Sequence, residues 1–447
     1  MSKHIIINNK IKKFDKKIEV DGDKSLSIRF ALLASQAIGK STAYNLLKSE
    51  DVFSVVNCLK KLGVKIRWSK KNNLCEIIGN GLNSYTYKKN LILNGNNSGT
   101  CVRLLTSLLI NSPEKIKITG DKSLSKRDMK RITEPLSKFG ASFYPKNKST
   151  LPLYMKGSNY LTPINYLELK GSSQCKSGVM LASLLTEGET IIKCKPSRNH
   201  TEHLFKYLKI PIKIKKKNNF EIIKIKGKKN FNSFKYIIPG DISSSAFFIV
   251  LTLLSKNSKL IIKKVGVNKS RTGVIDILNK MGAKILLKNK KNYKGEKIAD
   301  IHVKSSKSLK SINCPEKLNS SAIDEFLIIF LAAAKAKGIS YFKNLEELNK
   351  KESRRLDWGS KILKMIGIKN KLIGNNGIKI WGRPNLILNK NYEIKNYLKD
   401  HRVMAMSTIA ALTLGGKWKI HDSDSINTSF PSFFNILQKD LGLKINR

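Results

Sequence analysis

Two kinds of apolar pattern alternate along the chain. One is an amphipathic stretch at helical spacing that ends in a short glycine turn and a β-branched tail. It occurs as Leu59-Lys60-Lys61-Leu62-Gly63-Val64-Lys65-Ile66, again as Leu136-Ser137-Lys138-Phe139-Gly140-Ala141, and around Gly282, Gly367 and Gly442, the last reading Leu441-Gly442-Leu443-Lys444-Ile445. A degenerate copy, Leu208-Lys209-Ile210-Pro211-Ile212-Lys213, puts Pro211 where the others have glycine. The second pattern is a Ser/Gly/Asn-rich loop followed by a segment apolar nearly all round, which predicts a helix buried on every face. Its copies begin near Ser25, Ser98, Ser172, Ser243, Ser320 and Asp400, at steps of 73, 74, 71, 77 and 80 residues. Six such units account for the 447 residues. Each is expected to hold one buried helix, one amphipathic helix and several short strands, so the fold class is α/β.

Length and composition add bounds to this picture. At roughly 150 residues per domain the chain is long enough for two or three domains, each with a sizeable core. Hydrophobic residues make up 41% and aromatics 8%, which excludes a disordered or collagen-like chain. No apolar run approaches the ~18 residues of a spanning helix. The first residues, Met1-Ser2-Lys3-His4-Ile5, lack a long apolar stretch and a small-residue cleavage site, which predicts a cytoplasmic protein. Six cysteines (Cys58, Cys75, Cys101, Cys175, Cys194 and Cys314) lie far apart without a C-x-x-C, so neither a disulfide framework nor a zinc cluster is expected.

The net charge of +53 raises the question of nucleic acid. The composition points elsewhere. Of 85 basic residues only 12 are arginine, and lysine, asparagine and isoleucine, the residues of A/T-rich codons, are all abundant. The lysines run along the whole chain, with no basic tail and no interleaved aromatic platform. Arginine then becomes informative, because its planar fork grips carboxylate or phosphate at two points where lysine cannot. Of the 12, Arg29, Arg103, Arg127, Arg198, Arg271, Arg355 and Arg402 fall in polar segments at or near helix starts.

Those segments carry the candidate chemistry. A helix N-terminus presents free N–H groups and positive partial charge, so six polar loops opening six buried helices suit phosphates and carboxylates. In Asp23-Lys24-Ser25-Leu26-Ser27-Ile28-Arg29 an ammonium, a hydroxyl and a guanidinium are expected to face one anion. Gly95-Asn96-Asn97-Ser98-Gly99-Thr100 offers a glycine for close backbone approach. Gly120 to Met129, Gly171-Ser172-Ser173-Gln174-Cys175-Lys176-Ser177 and Ser197-Arg198-Asn199-His200-Thr201-Glu202 add hydroxyls, an amide and cations. Acids enter later, in Ile323-Asp324-Glu325, Lys351-Glu352-Ser353-Arg354-Arg355 and Asp400-His401-Arg402.

Taken together, these motifs resemble the 5-enolpyruvylshikimate-3-phosphate synthase (3-phosphoshikimate 1-carboxyvinyltransferase) family. The residues that carry the resemblance are Lys24-Ser25-Leu26-Ser27-Ile28-Arg29, Asn97-Ser98-Gly99-Thr100 with Arg103-Leu104, Pro239-Gly240-Asp241-Ile242-Ser243-Ser244-Ser245-Ala246, Arg271-Thr272-Gly273, Lys351-Glu352-Ser353 with Arg355, and Asp400-His401-Arg402. They follow the family's order over essentially the whole chain. The resemblance implies two similar domains, each of three repeated βαβαββ-like units with buried helices, an inside-out α/β barrel, hinged across a cleft. Residues 1–20 would join 239–447 in one domain, with 21–238 inserted as the other. It implies a reaction without metal or other cofactor: the 5-hydroxyl of shikimate 3-phosphate attacks C2 of phosphoenolpyruvate while C3 is protonated, and the tetrahedral adduct then loses phosphate.

Carried over residue by residue, Lys24, Ser25, Arg29, Ser172, Ser173, Gln174, Ser197, Asp324 and Lys351 would contact shikimate 3-phosphate. Lys24, Gly99, Arg127, Gln174, Arg355 and Arg402 would contact phosphoenolpyruvate. Asp324 and Glu352 would transfer protons, with Lys24 near the leaving phosphate. Partners would be these two small molecules, with no membrane and no specific nucleic acid, and the chain would be a monomer. Four positions depart from the family pattern. Asp128 stands where proline usually follows the motif arginine, Arg354 replaces an aspartate, Asn199 replaces a common aspartate, and Thr428 lies where many members have a lysine that meets phosphoenolpyruvate. Thr428 and Asp128 together predict weaker phosphoenolpyruvate binding. The competing readings are the sister transferase acting on UDP-N-acetylglucosamine, a basic nucleic-acid-binding protein and a drifted pseudoenzyme. The sister family has Lys-Asn where this chain has Lys24-Ser25 and a loop cysteine with no counterpart here.

Overall fold

A computed structural model describes residues 3–69 and 73–443. The chain forms two compact units, Met1–Asp21 with Pro239–Tyr293 and Lys297–Arg447, and Gly22–Ile238 with Lys294–Glu296.

In the 22–238 unit, helices alternate in burial as the apolar patterns require. They are α1 (Lys24–Ala34), α2 (Glu50–Lys61), α3 (Gly99–Ser107), α4 (Lys130–Phe139), α5 (Ser173–Ser183) and α6 (His200–Tyr207). In α1 every residue from Leu26 to Ala34 is buried, and in α5 every residue from Cys175 to Ser183. By contrast α4 buries only Ile132, Pro135, Leu136 and Phe139, one stripe at helical spacing. Among the described residues three four-stranded sheets accompany the helices. In the second, Ile92–Asn94 runs parallel to Ile116–Thr119, which pairs antiparallel with Leu153–Lys156, itself antiparallel to Ser142–Tyr144. The third repeats this plan over Asn165–Glu168, Glu189–Cys194, Phe220–Lys226 and Ile212–Lys217. In chain order both read βαβαββ.

The first sheet has the same plan, but its parallel strand comes from the far end of the unit. Lys235–Ile237 pairs with Ile38–Tyr44, Lys235 opposite Thr42. The strand that precedes α1 in sequence, Asp15–Glu19, instead runs parallel to Lys259–Gly266 in the other unit, Asp15 opposite Lys259. The two leading strands are thus exchanged at the points where the chain passes from one unit to the other.

The second unit holds α7 (Ile242–Leu254), α8 (Gly273–Lys280), α9 (Asn319–Ala322), α10 (Phe326–Ala334), α11 (Arg355–Met365), α12 (His401–Leu414) and α13 (Phe433–Asn435). All nine residues of α10 are buried, as are Phe247, Phe248, Phe430 and Phe433, which pack ring against ring. The last sheet joins Leu388–Ile394 parallel to Gly415–Ile420 and closes with the N-terminal Ile5–Ile7, antiparallel with Ile5 opposite Ile420. Strands outside and buried helices inside give each unit an inside-out α/β architecture. Lysines crowd the solvent faces of the strands in both units, and some ammonium groups sit over rings, that of Lys115 over Tyr154 and that of Lys379 over Trp381. Among the described residues no helix is long and apolar enough to cross a membrane.

The glycine turns take the left-handed conformation that ends a helix, with φ of 83° at Gly63, 120° at Gly140, 91° at Gly282, 75° at Gly367 and 70° at Gly442. Lys444 and Ile445, the tail of the last copy, lie outside the described residues. The degenerate copy needs a correction. Pro211 does not stand at the glycine position; Lys209 does, with φ 56°, its N–H bonded to the carbonyl of Lys206 as that of Gly63 is to Lys60. Proline, held near φ −65°, cannot adopt that conformation. The starts of α1 and α7 fall beside Ser25 and Ser243 as expected, with Asp23 and Asp241 as their caps. The segment near Ser320 forms the short α9, and the long buried helix starts only at Phe326, which leaves Asp324 and Glu325 in the turn between them.

Candidate active site

In the 22–238 unit the helix starts gather the predicted groups. The Asp23 carboxylate accepts from the Leu26 N–H at 2.8 Å and so opens α1. One turn along, the buried Arg29 donates from Nη1 to Ser25 Oγ at 2.6 Å. Its Nε reaches Thr201 Oγ1 and its Nη2 reaches Ser177 Oγ, both at 2.8 Å. Lys24 turns to the carboxylate of Asp51, 2.8 Å away, so the expected trio of Lys24, Ser25 and Arg29 is held by two sets of partners. Ser172 caps α5 by accepting from the Cys175 N–H, and Ser173 and Gln174 form its first turn. Gln174 joins α5 to α3: its Oε1 accepts from Arg103 Nη1 at 2.8 Å and its Nε2 donates to Thr100 Oγ1 at 2.9 Å. Gly99 begins α3 after Ser98. A Cβ there would lie 2.9 Å from Arg103 Nη1 and 3.2 Å from Arg127 Nη1. Arg127 is steadied by Asn97 Oδ1 at 3.0 Å. The Ser197 hydroxyl is buried with no hydrogen-bond partner among the described residues.

The other unit gathers the acids around one guanidinium. Arg355, the first residue of α11, is buried. Its Nε meets Asp400 Oδ2 at 2.9 Å and its Nη2 meets Asp400 Oδ1 at 3.3 Å. Nη1 reaches Asp324 Oδ1 at 3.3 Å, and Nη2 also donates to Glu352. Lys351 Nζ stands 3.2 Å from the same Asp324 oxygen. Arg402 donates from Nη1 to the backbone carbonyl of Asp324 at 2.7 Å and lies 3.6 Å from Glu325. Asp324, Lys351, Glu352, Arg355 and Arg402, spread over 79 positions from Asp324 to Arg402, therefore form one cluster.

Burial alone would lower the Arg355 pKa, but Asp400, then Glu352 and Asp324, hold the guanidinium above its ordinary value. Burial alone would likewise raise the Asp400 carboxyl, and Arg355 outweighs it and keeps it below the usual carboxylate range. The cluster thus sets cations and carboxylates side by side, an arrangement able to grip an anion and to move protons beside it. Among the described residues no three His, Cys, Asp or Glu are placed to hold a metal ion.

The chain matches the family model for EPSP synthase (3-phosphoshikimate 1-carboxyvinyltransferase) over residues 8–437. It belongs to the EPSP synthase family. The 3-phosphoshikimate 1-carboxyvinyltransferase of Ruthia magnifica is 39% identical over 435 residues, 96% of either chain. That of Petrotoga mobilis is 37% identical over 425 residues, 94% of this chain and 96% of the other. The EPSP synthase structure from Acinetobacter baumannii superposes with a TM-score of 0.85 at 34% identity, covering 99% of this chain and 100% of that one. The enolpyruvyl transferase NikO of Streptomyces tendae, 13% identical with a TM-score of 0.77, shares the fold.

Three of the departures from the EPSP synthase pattern make local contacts. Asp128 turns its carboxylate to the Lys130 N–H, 2.8 Å away, and so serves the start of α4. Exposed Arg354 pairs with Asp357 on the same helix. Thr428 Oγ1 bonds the Ser425 carbonyl and His401 Nδ1. Sequence reading missed several members of the network. Asp400 was legible only as a helix opener, yet it also anchors Arg355. Glu325 accepts from Ser243, which in turn receives Arg271 Nη2 at 2.8 Å. Arg103 and Gln174 both stood out in the sequence, but their pairing with each other did not.

Proposed function

We propose that this chain transfers the enolpyruvyl group of phosphoenolpyruvate to the 5-hydroxyl of shikimate 3-phosphate, with the residues carried over by motif as its working parts. The observation that supports these assignments most is the Asp324–Arg355–Glu352 constellation, which puts two carboxylates on different N–H groups of one buried guanidinium. The O5–H proton leaves to a carboxylate as oxygen attacks C2, and a proton is added at C3. In the second half C3 gives up a proton and the C2–O bond to phosphate breaks. Asp324 and Glu352 are the proton-transfer pair, a role worth about 10²–10⁴-fold when the group is well placed. Lys24, Arg127, Arg355 and Arg402 bear on the phosphate and carboxylate of phosphoenolpyruvate and stabilise the charge that develops on the leaving group. Lys24, Ser25, Arg29, Ser172, Ser173, Gln174, Ser197, Asp324 and Lys351 hold shikimate 3-phosphate, and Gly99 and Gln174 complete the phosphoenolpyruvate site. The buried Ser197 hydroxyl, unpartnered among the described residues, and the Ser25–Arg29 contact support the shikimate 3-phosphate assignment. In this reading the chain works as a monomer in the cytoplasm, the latter supported by its likeness to bacterial relatives.

The test is release of inorganic phosphate by the purified protein, with each substrate omitted in turn. Release that needs both substrates is expected. Folded protein that releases phosphate only with UDP-N-acetylglucosamine, or not at all, would overturn the assignment.

A further inference from the structure

Behind Arg29, α5 and α6 face each other through two consecutive pairs of side chains. Thr201 Oγ1 donates to Ser177 Oγ at 2.8 Å. One residue earlier on α5 and one later on α6, Lys176 Nζ lies 2.6 Å from Glu202 Oε1. All four residues are buried, Lys176 completely. Arg29 reaches across from α1 onto the hydroxyl pair, giving Nε to Thr201 and Nη2 to Ser177. Two acceptors on one edge fix both the plane of a guanidinium and its rotation about the side-chain axis. A lysine, or an arginine facing an apolar wall, would lack that constraint.

We propose that Thr201 and Ser177 are positioning residues: they lock the Arg29 guanidinium in the orientation that receives shikimate 3-phosphate. The Lys176–Glu202 pair holds the two helices that carry them in register. The proposal rests on the reading that Arg29 binds this substrate. Its physical basis is preorganisation. An arginine side chain that is already ordered gives up little rotamer freedom when the anion arrives, whereas a loose one gives it up on binding. Thr201 or Ser177 without its hydroxyl also leaves a buried N–H of Arg29 without that acceptor, and the guanidinium must turn to find another. Neither hydroxyl needs to touch the substrate for this effect.

The experiment compares Thr201→Val, Thr201→Ser, Ser177→Ala and Arg29→Ala. Shikimate 3-phosphate affinity is measured by calorimetry on the full chain, and KM for each substrate and kcat by phosphate release. Thr201→Val is expected to weaken shikimate 3-phosphate binding about tenfold, roughly the worth of one charge-assisted hydrogen bond. KM for phosphoenolpyruvate and kcat should stay within about twofold, and Thr201→Ser, which restores the acceptor, should bind nearly as the parent does. Ser177→Ala should move the same way, and it carries the test if Thr201→Val does not fold. Unchanged affinity in Thr201→Val and Ser177→Ala beside a weakened Arg29→Ala would sink the positioning role and leave the assignment of Arg29 standing. Unchanged affinity in Arg29→Ala would remove that assignment and the proposal with it. A loss spread over both substrates and kcat, with Thr201→Ser no better than valine, would mark the hydroxyl as structural only and also overturn the proposal.

Discussion

Arg355 and Asp400, 45 positions apart, meet at two points inside the protein, Nε to Oδ2 at 2.9 Å and Nη2 to Oδ1 at 3.3 Å. The same carboxylate accepts from the Ser353 hydroxyl and from the Arg402 N–H that opens α12. One side chain therefore ties the start of α11 to the start of α12, and with them the two arginines assigned to phosphoenolpyruvate. Asp400→Asn keeps the shape and one acceptor for the Arg402 N–H but removes the charge that answers a buried guanidinium. Taking one partner from a buried ion pair costs about 3–5 kcal/mol. Asp324 and Glu352 remain on Arg355, so the lower end of that range is expected in urea unfolding, together with a raised KM for phosphoenolpyruvate. Parental stability with parental KM would show that Asp400 anchors nothing.

Glu352 and Asp324 share Arg355 but differ in a second assignment, and their amides should separate the two roles. Glu352 is assigned proton transfer alone, so Glu352→Gln is expected to lower kcat by about 10²–10⁴-fold with both KM values nearly unchanged. Asp324 also pairs with Lys351 and is assigned to shikimate 3-phosphate. Asp324→Asn should therefore lower kcat and raise KM for that substrate alone. Steady-state kinetics on both variants decide this, and full turnover in either one removes its catalytic role.

The repeat was legible because its signals are local. A helix-ending glycine needs only its own φ, and Gly63, Gly140, Gly282, Gly367 and Gly442 all adopt the left-handed conformation. Lys209 was overlooked because a left-handed lysine leaves no compositional mark, although the fixed φ of Pro211 already ruled the proline out. The exchange of Asp15–Glu19 and Lys235–Ile237 between sheets depends on pairings some 200 residues apart, which no local periodicity encodes. In the site, helix starts and rare arginines led to the right segments. Partner choice was hidden, since a capping aspartate such as Asp400 reads the same whether or not its other oxygen meets an arginine. Hydroxyls on helices, such as Thr201 and Ser177, carry no pattern of their own.

Gly99 tests the anion site by bulk alone. A methyl group at that position would meet the far ends of Arg103 and Arg127 at 2.9 and 3.2 Å. These are movable ends, and alanine is the better helix former by up to about 1 kcal/mol, so Gly99→Ala should fold at least as stably. The two guanidiniums must shift, though, and Arg103 is bonded to Gln174. Losing about one charge-assisted hydrogen bond to the ligand corresponds to a rise in KM for phosphoenolpyruvate of roughly tenfold or more. KM for shikimate 3-phosphate should hold within a few-fold. An unchanged KM for phosphoenolpyruvate would place that substrate away from Gly99.

Asp21 offers a pH test at the point where the chain passes into the 22–238 unit. Burial raises its carboxyl pKa, the Ser432 N–H bond at 2.9 Å opposes this, and Asp241 adds to the rise. A carboxyl whose folded pKa lies above its unfolded value binds more protons in the folded state between the two. Its contribution to stability therefore falls as pH climbs through that window and stays lower above it. The substitution Asp21→Asn keeps an acceptor for the Ser432 N–H without the charge. This variant should thus gain stability relative to the parent as pH rises from about 4 to about 7, read from urea midpoints across that range. A difference that is flat, or that moves the other way, would show that the folded state does not hold this proton.

Lys176 has a fully covered side chain, 2.6 Å from Glu202 and 3.8 Å from Glu221. Burial works to lower its pKa, and Glu202 foremost outweighs this, so the ammonium stays charged. Lys176→Met is of similar length but strands the buried Glu202 carboxylate, which should cost about 3–5 kcal/mol. The second substitution separates charge from packing. Glu202→Gln added to Lys176→Met removes the stranded charge, and a neutral pair of similar volume is often nearly as stable as the ion pair it replaces. The double variant is therefore expected to recover at least half of the loss in urea unfolding. If it were no more stable than Lys176→Met alone, the cost would lie in packing, and the α5–α6 contact would owe nothing to the ion pair.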